Sequence, residues 1–341
     1  MEKLILLLFL LFTTTISFAQ KNIVNVYTWT RYIPQTVLQK FESETGIKIN
    51  LMEYDTNEIL YSKIKANPHI GYDVIFPSSY YVDRMRKQEM LLPLDKSALP
   101  NQRYINPLLM DKPYDRGNRY SIPYLWGTTA LVIDTRYWDP KKIKTWKQLW
   151  QAKYKNQLLL NDDTRDAFAI AFRVLGYGIN DTNPEHIKQA YQQLLKLKPN
   201  IRLFNTSAAL SIYADTDVTI GMAQSGDIVL ASRVNPYLAY IYPEDGFSIW
   251  MDCMVIPKYA PHYDNAMKFI NFMTRPDIAK QVALSIGFST PNSAALKMLP
   301  KTLRNNPAFN PPEKVLKRGQ MQTDIGRAIE IYQYYWQLLK L

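Results

Sequence analysis

Tyr72-Asp73-Val74-Ile75-Phe76-Pro77-Ser78-Ser79 reads as a short apolar strand cut off by a proline and two serines. Working back from it, Ile47 to Met52 is a second strand, and Asn22 to Tyr27 alternates around Ile23, Val24 and Val26 as a first. Between these strands lie two helical stretches. One opens at Ile33-Pro34, places Val37, Leu38 and Phe41 on one face and stops at Gly46; the other is Asn57 to Ala66. Working forward, Tyr80 to Gln88 is helical. Strand and helix thus alternate three times, which predicts an α/β lobe with a mostly parallel sheet. In such sheets ligands sit beyond the carboxyl ends of strands. Two loops occupy that position: Thr28-Trp29-Thr30-Arg31-Tyr32 and Ser78-Ser79-Tyr80-Tyr81. Trp29 and Tyr32 suit either core packing or a ligand wall, and Ser78 suits a helix cap.

A chain of 341 residues is long enough for two lobes, each with its own core. Lys3, the apolar run Leu4 to Phe12 and Ser17-Phe18-Ala19 form a signal peptide, residues 1–19, with cleavage expected after Ala19 and export to a periplasm. Cys253 is the only cysteine, so neither a disulfide framework nor a cysteine-based zinc site is expected. The net charge of +11 raises nucleic acid as a partner, but the lysines and arginines read as scattered, which favours an ordinary solvated surface. No nucleic acid and no stable membrane insertion are expected.

Further along, Ser121 to Thr129 reads as a crossover into the apolar strand Ala130 to Ile133 and a second lobe. Leu158 to Leu160 is a strand ending at Asn161-Asp162-Asp163, before the helix Ala167 to Leu175. Asp162 reads as a cap. Asp163 and Asp166 are three apart, on one side of a first helical turn, where they either hold a cation or serve as caps. Ile220 to Asp227 is a strand-to-helix turn, and Phe247 to Pro257 a strand on which Trp250 and Asp252 share a face. A buried acid needs a partner, and an indole face attracts cations. A core tryptophan with a salt-bridged strand-end aspartate is the plainer alternative.

Phosphate loops, dinucleotide fingerprints, nucleophile elbows and paired-histidine metal motifs do not occur. His69, His186 and His262 are the histidines, and none is read as catalytic or metal-binding. No nucleophile stands paired with a base, which weighs against an enzyme. The enzymatic alternative is Asp163 or Asp227 acting as a base.

Tyr27-Thr28-Trp29-Thr30-Arg31-Tyr32, Pro77-Ser78-Ser79-Tyr80-Tyr81-Val82-Asp83, Ser121-Ile122-Pro123-Tyr124 with Trp126-Gly127, Asp162-Asp163 with Arg165, Trp250-Met251-Asp252 and Thr290-Pro291-Asn292 occur in order along the chain. Together they resemble the spermidine/putrescine-binding periplasmic proteins of polyamine ABC transporters. The resemblance implies a two-lobe periplasmic binding protein fold of type II, with the ligand cleft between the lobes. It implies a first lobe of 25–127 plus 252–296 and a second of 128–251 plus 297–341. It also implies a monomeric binder without cofactor or metal, which hands a polyamine to an inner-membrane ABC permease.

Position by position, the resemblance implies that Trp29 and Trp250 sandwich the methylene chain and that Asp163, Asp166 and Asp252 hold ammonium groups. Thr30, Tyr32, Ser78, Tyr80, Thr206 and Gln322 would line the cleft, and Asp227 matches an acid of putrescine-preferring members. Arg31, Gln224 and Phe288 depart from the pattern. They leave open putrescine, spermidine or another diamine, and Arg31 would suit a carboxylate-bearing ligand. An amino acid, a sugar or a metal ion bound on the same fold is the alternative.

Overall fold

A computed structural model describes residues 22–341; the signal peptide and its cleavage after Ala19 lie outside the described residues. The chain divides into two compact units. Among the described residues one holds 22–124, 252–282 and 291–295; the other holds 125–251, 283–290 and 296–341.

In the first unit, β1 (Ile23–Trp29) runs parallel to β2 (Lys48–Tyr54) and to β3 (Val74–Ile75). The apolar side chains of the first and third strands are fully buried at Val24, Val26, Val74 and Ile75, the pattern of a sheet covered on both faces. The helix Gln35–Thr45 turns Val37, Leu38 and Phe41 inward and ends at Gly46, whose φ of 71° supplies the left-handed stop. Thr56 accepts a hydrogen bond from the Ile59 amide and so caps the helix Asn57–Ala66. β4 (Leu91–Leu92) is short. It and β3 both pair antiparallel with the last residues of a long strand that begins outside this unit.

β5 (Ser121–Asp134) is buried throughout its fourteen residues and passes from the first unit into the second after Tyr124. The segment read as a crossover, Ser121 to Thr129, is the first part of this continuous strand, and the boundary between the units falls within it. Pro123 and Gly127 interrupt the residue pattern there without interrupting the extended backbone. β6 (Leu158–Leu160) runs parallel to β7 (Ile201–Phe204) and to β8 (Ile220–Gln224), which pairs antiparallel with β5. β9 (Leu238–Ile241) pairs with the other side of β5. β10 (Phe247–Pro257) starts in this unit, where Phe247 to Ile249 pair with β11 (Gly319–Met321), and passes into the first unit at Asp252. The helices Thr164–Leu175, Pro184–Leu197 and Ala328–Lys340 close a core around Phe168, Phe172, Leu194 and Tyr332. Residues 283–290, read from the sequence as part of the first lobe, pack here, because Phe288 lies edge-on to Trp250 and against Gly226.

Candidate functional site

Each unit gathers acids and aromatic rings beyond the carboxyl ends of its parallel strands. In the first unit the acid is Asp252. It forms an isolated antiparallel bridge with Ser78, just past β3, and the Cys253 amide donates to the Pro77 carbonyl at 3.0 Å. The Ser78 hydroxyl donates to Asp252 Oδ1 at 2.6 Å, and the Tyr32 hydroxyl donates to Oδ2 at 2.6 Å. Asn57 holds this pair from behind. Its Nδ2 donates to the Ser78 and Tyr80 hydroxyls, both at 3.0 Å, while its Oδ1 accepts from the Ser78 amide. Ser78 does stand at the N-cap position of the helix Ser79–Lys87, but its side chain makes no capping bond. It serves the carboxylate instead.

Asp252 is buried, and among the described residues no lysine or arginine pairs with it. Burial pushes its carboxyl up to about 6, against the two hydroxyl donors, which favour the charged form. Each carboxylate oxygen has a second lone pair, so an ammonium still has acceptors there.

Trp29 closes β1 rather than standing in a loop. Its indole Nε1 donates to the Phe76 carbonyl at 2.8 Å, and its ring lies tilted 4.8 Å from Tyr54, which donates to the same carbonyl. Tyr124 donates to the Tyr32 carbonyl at 2.9 Å and stands edge-on to the Tyr32 ring. Thr30 does not join this group: it is exposed and donates to Asp55 at 2.8 Å.

In the second unit the acids surround the start of the helix Thr164–Leu175. Asp163 is its N-cap, with Oδ1 accepting from the Asp166 amide at 2.9 Å. The cap expected at Asp162 is thus one residue further on, and Asp162 sits in an exposed ion pair with Lys340 at 2.7 Å. Asp166 is buried. Its Oδ2 accepts from Asn161 at 2.8 Å and from Thr129 at 3.1 Å, and its Oδ1 from Gln322 at 3.3 Å. Burial raises both carboxyls, and for Asp166 the charge of Asp163 adds to the rise. The Arg165 guanidinium opposes that rise at both. Arg165, between them in sequence, is directed to the Asn180 side chain and the Thr323 carbonyl.

The other expected residues of this unit lie in three places. Trp250 is buried beside Phe288 at 4.8 Å, and its Nε1 has no hydrogen-bond partner among the described residues. Gly127 gives the indole its space, since a Cβ there would lie 2.5 Å from the ring. Asp227, in the first turn of the helix Ser225–Ala231, is half-buried and is pushed up to about 7 by burial. Thr206 keeps a buried hydroxyl that no described group meets.

Asn57, Asn161 and Thr129 were not singled out from the sequence, yet they orient Asp252 and Asp166. The signal that marks Asn161 is its place beside two aspartates at a strand end. Asn57, in a helix start, carries none.

Each set has polar acceptors, buried acids and flat apolar rings, features that suit a cationic group on an apolar stem. Among the described residues no group of three histidine, cysteine, aspartate or glutamate side chains is arranged to hold a metal ion. No described helix is long and apolar enough to cross a membrane.

A family model described as bacterial extracellular solute-binding protein matches residues 36–311. The spermidine/putrescine-binding periplasmic protein of Salmonella typhimurium is 42% identical over 314 residues, covering 92% of this chain and 90% of its own. Its counterpart in Escherichia coli is 42% identical over 319 residues, covering 94% and 92%. Among solved structures, a spermidine/putrescine ABC transporter chain from Listeria monocytogenes superimposes with a TM-score of 0.89 at 35% identity, covering 94% of this chain and 99% of that one.

Proposed function

The chain belongs to the bacterial extracellular solute-binding proteins, and from that membership we propose that it captures a polyamine, putrescine or spermidine, in the periplasm for an ABC permease. The observation that carries this reading is a shortage of positive charge. Burial raises the carboxyls of Asp252 and Asp227 with no cation acting on them, and Arg165, which lowers those of Asp163 and Asp166, does not offset their rise. A polyamine supplies that charge on an apolar stem.

In this reading Asp252, held by Tyr32 and Ser78, takes one ammonium. Asp163 and Asp166, set by Asn161, Thr129 and Gln322, take another, and Asp227 stands by as a further acid. Trp29 and Trp250 lie along methylene groups, and Tyr80 and Thr206 line the path. Hydrogen bonds to charged groups contribute about 1.5 to 3 kcal/mol each and a desolvated cation–aromatic contact about 2. Two acids and two indoles therefore supply about 7 to 10 kcal/mol before ordering losses, the scale on which micromolar binding, ~8 kcal/mol, is set. The work is capture and release without a chemical step, by a monomer.

Asp252→Asn and Trp250→Ala are each expected to weaken spermidine or putrescine binding more than tenfold by calorimetry. Unchanged affinity in both variants refutes the site. Arg31 and Gln224 are proposed to favour shorter diamines. Arg31 is exposed with a left-handed φ of 56°, and it adds positive charge next to Tyr32. Competition measurements ranking spermidine clearly first would contradict this preference.

A further inference from the structure

The positive charge of this chain is less evenly spread than a reading of the whole sequence indicates. Between Pro140 and Asn161 the chain carries Lys141, Lys142, Lys144, Lys147, Lys153 and Lys155 and no aspartate or glutamate. All six are exposed. The fold adds to them: Asn156 and Gln157 donate to the carbonyls of Pro199 and Asn200, which brings Lys196 and Lys198 to the same face of the second unit. Among the described residues none of these eight lysines forms an ion pair.

Three acids border the face. Asp139 accepts from the Lys141 amide, Asp245 accepts from the Trp146 and Lys147 amides, and Glu244 donates its own amide to the Lys144 carbonyl. They stay outnumbered. At the centre is a surface hollow of about 360 Å³ lined by Thr145, Lys147, Gln148, Trp150 and Gln151. Thr145 and Gln148 satisfy one another as a capping box, so Lys147 and the half-buried ring of Trp150 are what the hollow offers a ligand.

We propose that this face docks the protein on the anionic phospholipid headgroups of the membrane beneath it. The charge complementarity is with a diffuse negative surface rather than with a protein. Every cation of the stretch from Pro140 to Asn161 is lysine, whereas protein–protein interfaces favour arginine and are depleted of lysine. Lysines on flexible stems act as point charges for phosphodiesters and need no fixed register. An indole with an apolar body and a satisfied N–H, here donating to the Gln193 carbonyl at 3.0 Å, suits the headgroup layer. Each lysine near an anionic bilayer strengthens binding roughly fivefold, so several together hold a protein reversibly without insertion. The residues of the polyamine site are not involved.

The test is co-sedimentation of the full mature chain with vesicles of phosphatidylcholine alone or mixed equally with phosphatidylglycerol. Binding more than tenfold stronger to the mixed vesicles, abolished at about 0.5 M salt, is expected. The Lys142→Glu, Lys144→Glu, Lys147→Glu, Lys153→Glu variant should lose that binding while keeping its thermal shift with spermidine, which also shows that it is folded. A control reversing Lys65, Lys96, Lys258 and Lys268 in the first unit should retain most of it. Equal binding to both vesicle types, or equal loss in variant and control, overturns the proposal. So does binding only to the permease in detergent with none to vesicles.

Discussion

The Ser78 hydroxyl accepts from Asn57 and donates to Asp252, so it relays order from the core to the acid. Removing it in Ser78→Ala leaves Oδ1 without its donor, and Tyr32→Phe does the same to Oδ2. Either change makes the charged carboxylate harder to hold and lets it turn. Spermidine affinity at neutral pH is expected to fall about tenfold in each, within what one charge-assisted hydrogen bond contributes. Calorimetry checks it, and wild-type affinity in both would show that Asp252 needs no positioning. Asp252 itself was legible in the sequence, because an acid two residues from a tryptophan on a strand must share its face. Its supporting cast was not. Asn57 reaches Ser78 across 21 residues and Thr129 reaches Asp166 across 37, and residue type alone gives no sign of which distant polar groups will meet.

At the scale of elements, the helix Thr164–Leu175 does two things with one residue. Asp163 closes its first turn by accepting from the Asp166 amide, and it brings a charge close to that of Asp166. Asparagine caps as well as aspartate, whereas alanine costs about 1 kcal/mol. Asp163→Asn is therefore expected to leave stability within about 0.5 kcal/mol of the parent, and Asp163→Ala to lose about 1. Both should weaken spermidine binding. Urea titration beside calorimetry separates the two roles, and equal stability loss in both variants would mean that the cap is not what Asp163 supplies. Short apolar strands such as Leu158–Leu160 and the helix Asn57–Ala66 were legible from period and punctuation alone. The full reach of β5 was not. Pro123 and Gly127 break its residue pattern, and even its far end, Thr129 to Asp134, is held by pairing with β8 and β9, which lie about 90 to 110 residues away in sequence.

For the whole molecule, the buried acids tie ligand binding to protons. Asp252 has its folded-state pKa raised from 3.8 to about 6 by burial, and Asp227 from 3.8 to about 7. Between pH 4 and the raised values the folded, empty protein holds protons that the unfolded chain has released. The stability these groups contribute is therefore full below about pH 4 and lost as pH rises through 6 to 7. A polyamine acts in the opposite direction. Its ammonium groups remain charged throughout this range and favour the ionised carboxylates, so binding expels protons. Affinity should rise about tenfold per pH unit for each carboxyl that must ionise, from pH 5 up to its own pKa, and level off above 7. Calorimetry in two buffers of different ionisation enthalpy should register proton release at pH 5.5 and little at pH 8, and Asp252→Asn should reduce the release at the lower pH. The ligand's thermal stabilisation, which grows as RT ln(1 + [L]/Kd), should accordingly be larger at pH 7.5 than at pH 5 at one spermidine concentration. An affinity that stays flat from pH 5 to 7.5 would mean that these carboxyls are already ionised in the empty protein, and that burial does not tie polyamine capture to protons.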